Sequence, residues 1–371
     1  YQLERFFNAN NEEKRINDDI NENDDVAKLN WVGIIHADAN NLGSIFTRPE
    51  AILEKFDDID LFDQYASNIG KFLNDVSDAV EEATEKAFVS AWISVYQAMC
   101  AKSKQNNKEY PNVIPLVPIL LGGDDVIVVS DGRYSMTFAV EYLRCFEKFT
   151  AEYPILRQLA RAVRAQKIGD KDNEAMGMSA AAGVAIVKTP FPFYDAYRMA
   201  SSLCDNAKDK TREFSTVNFH VHYDASSIDI ETALKQYATI TARPYVVTDI
   251  ENDDEQLLKW ETVVNAAIEI RGSGKNDGLP RNQQAALRQV LHDDQVTAIN
   301  RWKLLKNRGY SPTLAALEGE DPAIGPYLWN NNGVYAGSLL LDVMQLNDII
   351  PAEALILDAE RRYKGGDIYD N

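Results

Sequence analysis

Leu120-Leu121-Gly122-Gly123-Asp124-Asp125-Val126-Ile127-Val128-Val129 sets two glycines and two acids between apolar runs. The pattern reads as a β-hairpin with its turn at Gly122-Gly123. Adjacent carboxylates at a tight turn between buried strands have no packing role. They are costly there unless exposed, hydrogen-bonded or coordinating a cation. Two readings follow: a hairpin with a polar tip, or a hairpin that presents acids to a divalent metal.

Working outward, the first strong strand upstream is Trp31-Val32-Gly33-Ile34-Ile35-His36-Ala37. A long helical zone follows, with Ile69, Leu73, Val76, Val80, Ala83 and Ala87 at spacings of three and four. Residues 101–112 are a polar connection, and Pro115 and Pro118 mark an edge or bulged lead-in before Ile119. Downstream, Phe138, Ala139, Tyr142, Leu143, Phe146 and Phe149 form a second amphipathic helix. Residues 178–187 read as a strand, and the next helix sets Tyr194, Tyr197, Ala200, Leu203, Cys204 and Ala207 on its inner face. Val217-Asn218-Phe219-His220-Val221-His222-Tyr223 alternates apolar and polar, the sign of a half-buried strand. The order over 31–223 is therefore β-α-β-β-α-β-α-β, an α+β sheet with helices on one face.

The ends differ in character. Residues 8–29 are rich in Asn, Asp and Glu, so 1–30 is an N-terminal segment with an acidic linker. The main domain is 31–224. Residues 225–371 read as a mostly helical C-terminal unit, with a helix opening after Leu279-Pro280.

The net charge of −19 weighs against duplex or single-stranded nucleic acid as the main partner, although RNA is not excluded. It favours a small phosphorylated ligand accompanied by divalent metal. At 45% hydrophobic the chain can bury a large core, yet no apolar run reaches the roughly 20 residues of a membrane span. The start at Tyr1 lacks a basic region followed by an apolar one, so no secretory signal is expected. The absence of an initiator Met reads as trimming. Cys100, Cys145 and Cys204 are dispersed, form no C-x-x-C pair and fit a reducing cytoplasm. Cys145 and Cys204 fall at apolar helix positions, as buried residues do.

The first strand ends in Asp38-Ala39-Asn40-Asn41-Leu42-Gly43, an acid at the carboxyl end of a central strand. In a ferredoxin-like sheet that strand lies beside the hairpin, so Asp38 and Asp124 can approach one pair of cations. Two metals about 3.5–4 Å apart stabilise both oxygens of a phosphoryl transfer. The competing reading of Asp38 is a strand-end Asx turn or helix cap. Asp205-Asn206-Ala207-Lys208-Asp209-Lys210 closes the helix after the third strand. Its lysines either complement the helix dipole or reach a triphosphate. Arg157, Arg161, Arg164, Lys167 and Lys171 share one helical face, read first as solvated and second as an RNA or protein contact.

In order and content, DANNLG, LGGDD, GVAIV and DNAKDK resemble the palm (cyclase) domain of the large polymerase-like subunit of type III CRISPR effector complexes. Stand-alone minimal CRISPR polymerases are similar too, and GGDEF diguanylate cyclases more distantly. The resemblance covers roughly 31–223. It implies a ferredoxin-like palm with helices packed on an antiparallel sheet, and two Mg²⁺ or Mn²⁺ ions. It implies Asp38, Asp124 and Asp125 as catalytic acids, with Ala39 beside them in the metal set. Lys208, Gly122, Gly123, Asn40, Asn41 and Gly43 fall to the nucleotide. Asn40 stands where some relatives carry a second acid, and Val126 follows Asp125 where diguanylate cyclases carry Glu-Phe. Neither an HD nuclease domain nor a cysteine zinc element is present; His292-Asp293 is a lone dipeptide.

The expected activity is a metal-dependent nucleotidyltransferase that turns NTPs, ATP first, into a cyclic or oligomeric second messenger in anti-phage defence. The alternative is a catalytically weak nucleotide-binding scaffold in a CRISPR-like complex. A lone palm facing two reacting groups would dimerise or use a protein partner, in the cytoplasm and away from membranes.

Overall fold

The computed structural model describes residues 31–107, 109–163, 176–223, 241–248, 257–272, 278–293, 295–310, 314, 328–331 and 334–363. The acidic segment 1–30, the boundary near 225 and the basic residues Arg164, Lys167 and Lys171 lie outside them. β1 is Trp31–Ala39; α1 (Leu42–Thr47), α2 (Pro49–Leu53) and α3 (Ile59–Ala66) lead into α4 (Ile69–Gln105). The hairpin is β2 (Leu116–Gly122) and β3 (Asp125–Asp131), followed by α5 (Ser135–Thr150) and α6 (Pro154–Val163). Then come β4 (Ala180–Lys188), α7 (Phe193–Lys210), β5 (Thr216–Val221) and β6 (Tyr245–Val246).

The sheet order is β2-β3-β1-β4-β5-β6. Its first four strands give 4-1-3-2 when read from β4, the ferredoxin-like arrangement for β-α-β-β-α-β. β1 pairs antiparallel with both β3 and β4, while β4 and β5 run parallel, joined by the crossover helix α7. The α+β class read from the sequence stands.

The expectation of helices on one face only is corrected. Ile35, Ala37, Val126, Val128, Val184 and Ile186 share a core with α4 and α5. Their strand neighbours Ile34, Val129, Ala185 and Val187 pack instead with Ala196, Met199, Ala200 and Leu203 of α7. Both faces are covered, which is why eight of the nine β4 residues are buried. The same cover corrects the half-buried reading of β5, whose six residues are all buried. Asn218 is satisfied there by the Leu203 carbonyl at 3.4 Å and by Asn206 Oδ1 at 2.9 Å. On α7 itself Tyr194 is exposed rather than inward; Met199 takes an inner place the sequence reading omitted.

β2 is the edge strand, with a register shift between Pro118 and Leu120, as the two prolines foretold. The long helix runs to Gln105, into the stretch read as connection.

The C-terminal part contributes α8 (Trp260–Arg271), α9 (Arg281–Asp293), α10 (Gln295–Leu305), a β7–β8 hairpin (Leu328–Asn331, Val334–Ser338), α11 (Leu339–Ile349) and α12 (Ala352–Tyr363). It is joined to the sheet by one continuous apolar core that includes Phe219, Tyr245, Trp260 and Leu339. β6 pairs with β5, so residues 245–246 extend the same sheet. Among the described residues no helix is long and apolar enough to cross a membrane.

Candidate metal and nucleotide site

The turn is one residue later than the glycine pair implied. Gly122 pairs with Asp125, and Gly123-Asp124 form the two-residue connection. Gly123 takes a φ of +59°, the left-handed region that glycine occupies without strain. Its carbonyl accepts a 2.7 Å bond from Thr84 Oγ1, which ties the turn to α4. The Asp124 carbonyl accepts from Ala39 N–H at 3.3 Å, tying it to the end of β1.

This shift decides where each acid sits. Asp125 returns to the strand and lies opposite Asp38 across the β1–β3 ladder. Side chains directly opposite share a face, with Cβ atoms about 4.5–5.5 Å apart. By strand parity that is the face covered by α7, because Ala37, Ala39 and Val126 point into the other core. Asp124 stays in the turn. Burial pushes its carboxyl above the ordinary carboxylate range; Asp38 and Asp125 add to that, while its own backbone amide and Lys208 oppose it.

Lys208 completes the cluster. Its side chain is 8% exposed and its Nζ is ion-paired with Asp38 Oδ2. The same ammonium donates to the Ala39 carbonyl at 3.1 Å. Small residues bring it there: Ala181, Cys204 and Ala207 form one tight cluster, and a Cβ on Gly183 would lie 2.0 Å from the Ala200 carbonyl oxygen. The backbone of α7 therefore rides directly on β4, and its last turn overhangs the end of β1. Cys204 donates its thiol to the Ala181 carbonyl at 3.3 Å, and burial pushes its pKa up to about 12, so it is a packing residue and no nucleophile.

Other residues singled out by sequence divide. Gly43 and Gly122 border open space. Asn41 takes a φ of 65° and opens α1. Asn40 is buried and donates to Ser179 Oγ at 3.0 Å and the Phe214 carbonyl at 3.4 Å, fastening the β1 end to the segments that lead into β4 and β5. Its amide works in the frame, where a second carboxylate could not donate. Arg157 and Arg161 line a cleft of about 250 Å³ with Asp58, Pro154 and Gln158, none of them a member of the acidic cluster.

His36 was missed. It lies two residues before Asp38 on the same strand face, and its Nε2 is 2.9 Å from Asp125 Oδ1. Its ring centroid is 5.9 Å from that of Tyr197 on α7. The signal was present as the i, i+2 spacing to Asp38, but only the register shows that Asp125 is within reach.

Among the described residues no three His, Cys, Asp or Glu side chains converge as a ready metal cage. What lies at this end of the sheet is hard oxygen: Asp38 stands opposite Asp125, the Ala39 carbonyl follows, Asp124 occupies the adjoining turn, and the Lys208 ammonium is seated on Asp38 and the Ala39 carbonyl. That donor chemistry suits Mg²⁺ or Mn²⁺, which take carboxylates, carbonyls and substrate phosphates while keeping waters. The Lys208 ammonium serves as a stand-in cation.

Residues 31–215 match the family model described as Cas10/Cmr2, second palm domain. This segment is a palm of that family. The resemblance read from DANNLG, LGGDD and DNAKDK to the palm of the type III CRISPR large subunit is thereby borne out. Among solved structures, the palm-bearing chain is similar to a Csm1–Csm4 cassette in complex with cA3, at 13% identity and a TM-score of 0.42. That match covers 85% of this chain and 36% of that one. A Csm1–Csm4 cassette in complex with AMPPNP gives 13% identity and a TM-score of 0.41, with 88% and 36% coverage. Csm1 in T. onnurineus gives 14% and 0.34, with 85% and 38% coverage. The palm-bearing chain spans a little over a third of the length of these structures. No curated protein matches it.

Proposed function

We propose that this chain is a metal-dependent nucleotidyltransferase that joins NTPs, ATP first, into a cyclic or oligomeric nucleotide within a type III CRISPR system. The observation that carries the reading is the cross-strand pair Asp38–Asp125 beneath Lys208, on a palm frame. Asp38, Asp125 and the Ala39 carbonyl would hold the cations, and Asp124 would join them. When bound, the metals would activate a ribose hydroxyl and neutralise the leaving pyrophosphate.

The residues of the chain do the rest. The hairpin holds Asp125 against Asp38, and His36 fixes the Asp125 carboxylate through one oxygen. A cation placed among the acids would relieve the like-charge repulsion that helps raise Asp124. Lys208, on a flexible four-carbon stem, is within reach of any anion delivered to the same spot. The open space above Gly122 and Gly43 leaves the backbone approachable by phosphate.

The test incubates the full chain with each NTP and Mg²⁺ or Mn²⁺, following pyrophosphate and new species by mass spectrometry. The wild type is expected to give product. Asp38→Asn and Asp125→Asn are each expected to lower the rate by about 10²-fold or more, as loss of an electrostatic stabiliser does. Product formation unaffected by either substitution would place the chemistry elsewhere.

A further inference from the structure

Lys208 is not poised beside the acidic cluster; it is bonded into it. Its Nζ is paired with Asp38 Oδ2 and donates to the Ala39 carbonyl at 3.1 Å, and the side chain is 8% exposed. These are two of the oxygens that would hold a divalent cation. An ammonium and a divalent cation cannot share them at close range without strong repulsion.

We infer that Lys208 is a resident counter-ion that the metal must displace, and that this displacement couples metal binding to triphosphate binding. The inference rests on the two-metal nucleotide reading. The physical argument has three steps. Without a ligand, Lys208 neutralises Asp38, which stands opposite Asp125 across the ladder. A metal arriving alone must break that pair and strand a mostly buried ammonium, which is costly. A metal arriving with a triphosphate gives the displaced ammonium a new anion one side-chain swing away. Binding of the metal and of the triphosphate therefore reinforce each other, and by linkage the reinforcement is equal in both directions. The site resists free cations and accepts the metal–nucleotide complex.

The fixed parts of the site make the lysine the moving one. Asp38 and Ala39 lie in the β1 ladder between two partner strands. Asp125 is held by His36 and by its own strand. Lys208 alone ends in a flexible stem, on the last turn of a helix whose backbone is pinned at Gly183.

The experiment titrates Mn²⁺ into the nucleotide-free full chain, reading free Mn²⁺ by electron paramagnetic resonance. Wild type is compared with Lys208→Gln, Lys208→Met and Asp38→Asn. Removing the ammonium is expected to tighten Mn²⁺ binding about tenfold, the equivalent of ~1.4 kcal/mol. A second readout needs no variant: amine acylation of Lys208 in the wild type, followed by peptide mass spectrometry. Labelling is expected to rise when Mn²⁺ is added alone and to fall when a non-hydrolysable NTP analogue joins it. Mn²⁺ binding that Asp38→Asn abolishes but the Lys208 variants leave unchanged or weaken, or labelling indifferent to saturating Mn²⁺, overturns the inference and leaves the metal reading standing. No Mn²⁺ binding by wild type or any variant overturns both.

Discussion

At the scale of single residues, burial decides which groups take part in chemistry. His220 on β5 is buried, and that burial, aided by the charges of Arg243 and His222, lowers its pKa to about 3. The unfolded chain binds a proton on this histidine below about pH 6.5, whereas the folded chain does so only near pH 3. Its contribution to stability is thus complete above about pH 6.5 and lost as the pH falls below it. The expected slope is about 1.4 kcal/mol per pH unit within that window. Urea unfolding between pH 7 and pH 4 checks this, with His220→Gln expected to show a shallower acid loss than wild type. Among the candidate site residues, Asp38, the Asp124–Asp125 pair and Lys208 were legible through their order along the chain, because each alone fits a cap, a polar turn or a helix-dipole partner equally well. His36 was not, since a histidine in an apolar strand gives no sign of its partner until strand register is known.

At the scale of elements, the contact of β4 with α7 sets the geometry of the site. Ala181, Gly183 and Ala185 are the small residues on which α7 rides. A methyl on Gly183 would meet the backbone of Ala200 and Cys204, at 2.0 and 2.5 Å. Backbone cannot rotate away, so Gly183→Ala is expected to cost ~3 kcal/mol, at the upper end of overpacking. It should also lift Lys208 from Asp38. Denaturant unfolding gives the first quantity, and Lys208 labelling in the folded variant, raised above wild type, gives the second. The sequence showed a small-residue strand in Ala180-Ala181-Ala182-Gly183 but not which face needed the small residues. The same limit hid the second covered face of the sheet: helical periodicity reports an apolar stripe and says nothing of the side from which it packs.

At the scale of the whole molecule, a buried polar link fastens the C-terminal helices to the palm sheet. Arg243 donates to Asp342 at 2.7 Å and bonds to Gln345 on the same helix and to the Phe219 carbonyl on β5. Its guanidinium lies 3.8 Å from the Phe219 ring centroid. Tyr245 on β6 and the Ala242 amide also donate to Asp342. Burial pushes the Asp342 carboxyl up, opposed by Arg243 and Tyr245. Asp342→Ala would strand the arginine in the core and is expected to destabilise by about 3–5 kcal/mol. The double change Arg243→Met with Asp342→Leu should recover most of that loss in the same unfolding measurement. A double variant as unstable as the single one would show that the pair specifies the joint beyond charge compensation.

The sequence by itself determined the order of elements, the α+β class and the residue types of the site. Periodicity, turn chemistry and acids at strand ends are local properties, written within a few residues of one another. Only the tertiary structure decided that the turn falls on Gly123-Asp124, that Asp125 stands opposite Asp38, and that Lys208 is seated on the Ala39 carbonyl. Those facts depend on strand register and on how closely a helix approaches a sheet. Both are set by side chains far apart in the chain that meet only once the core has formed.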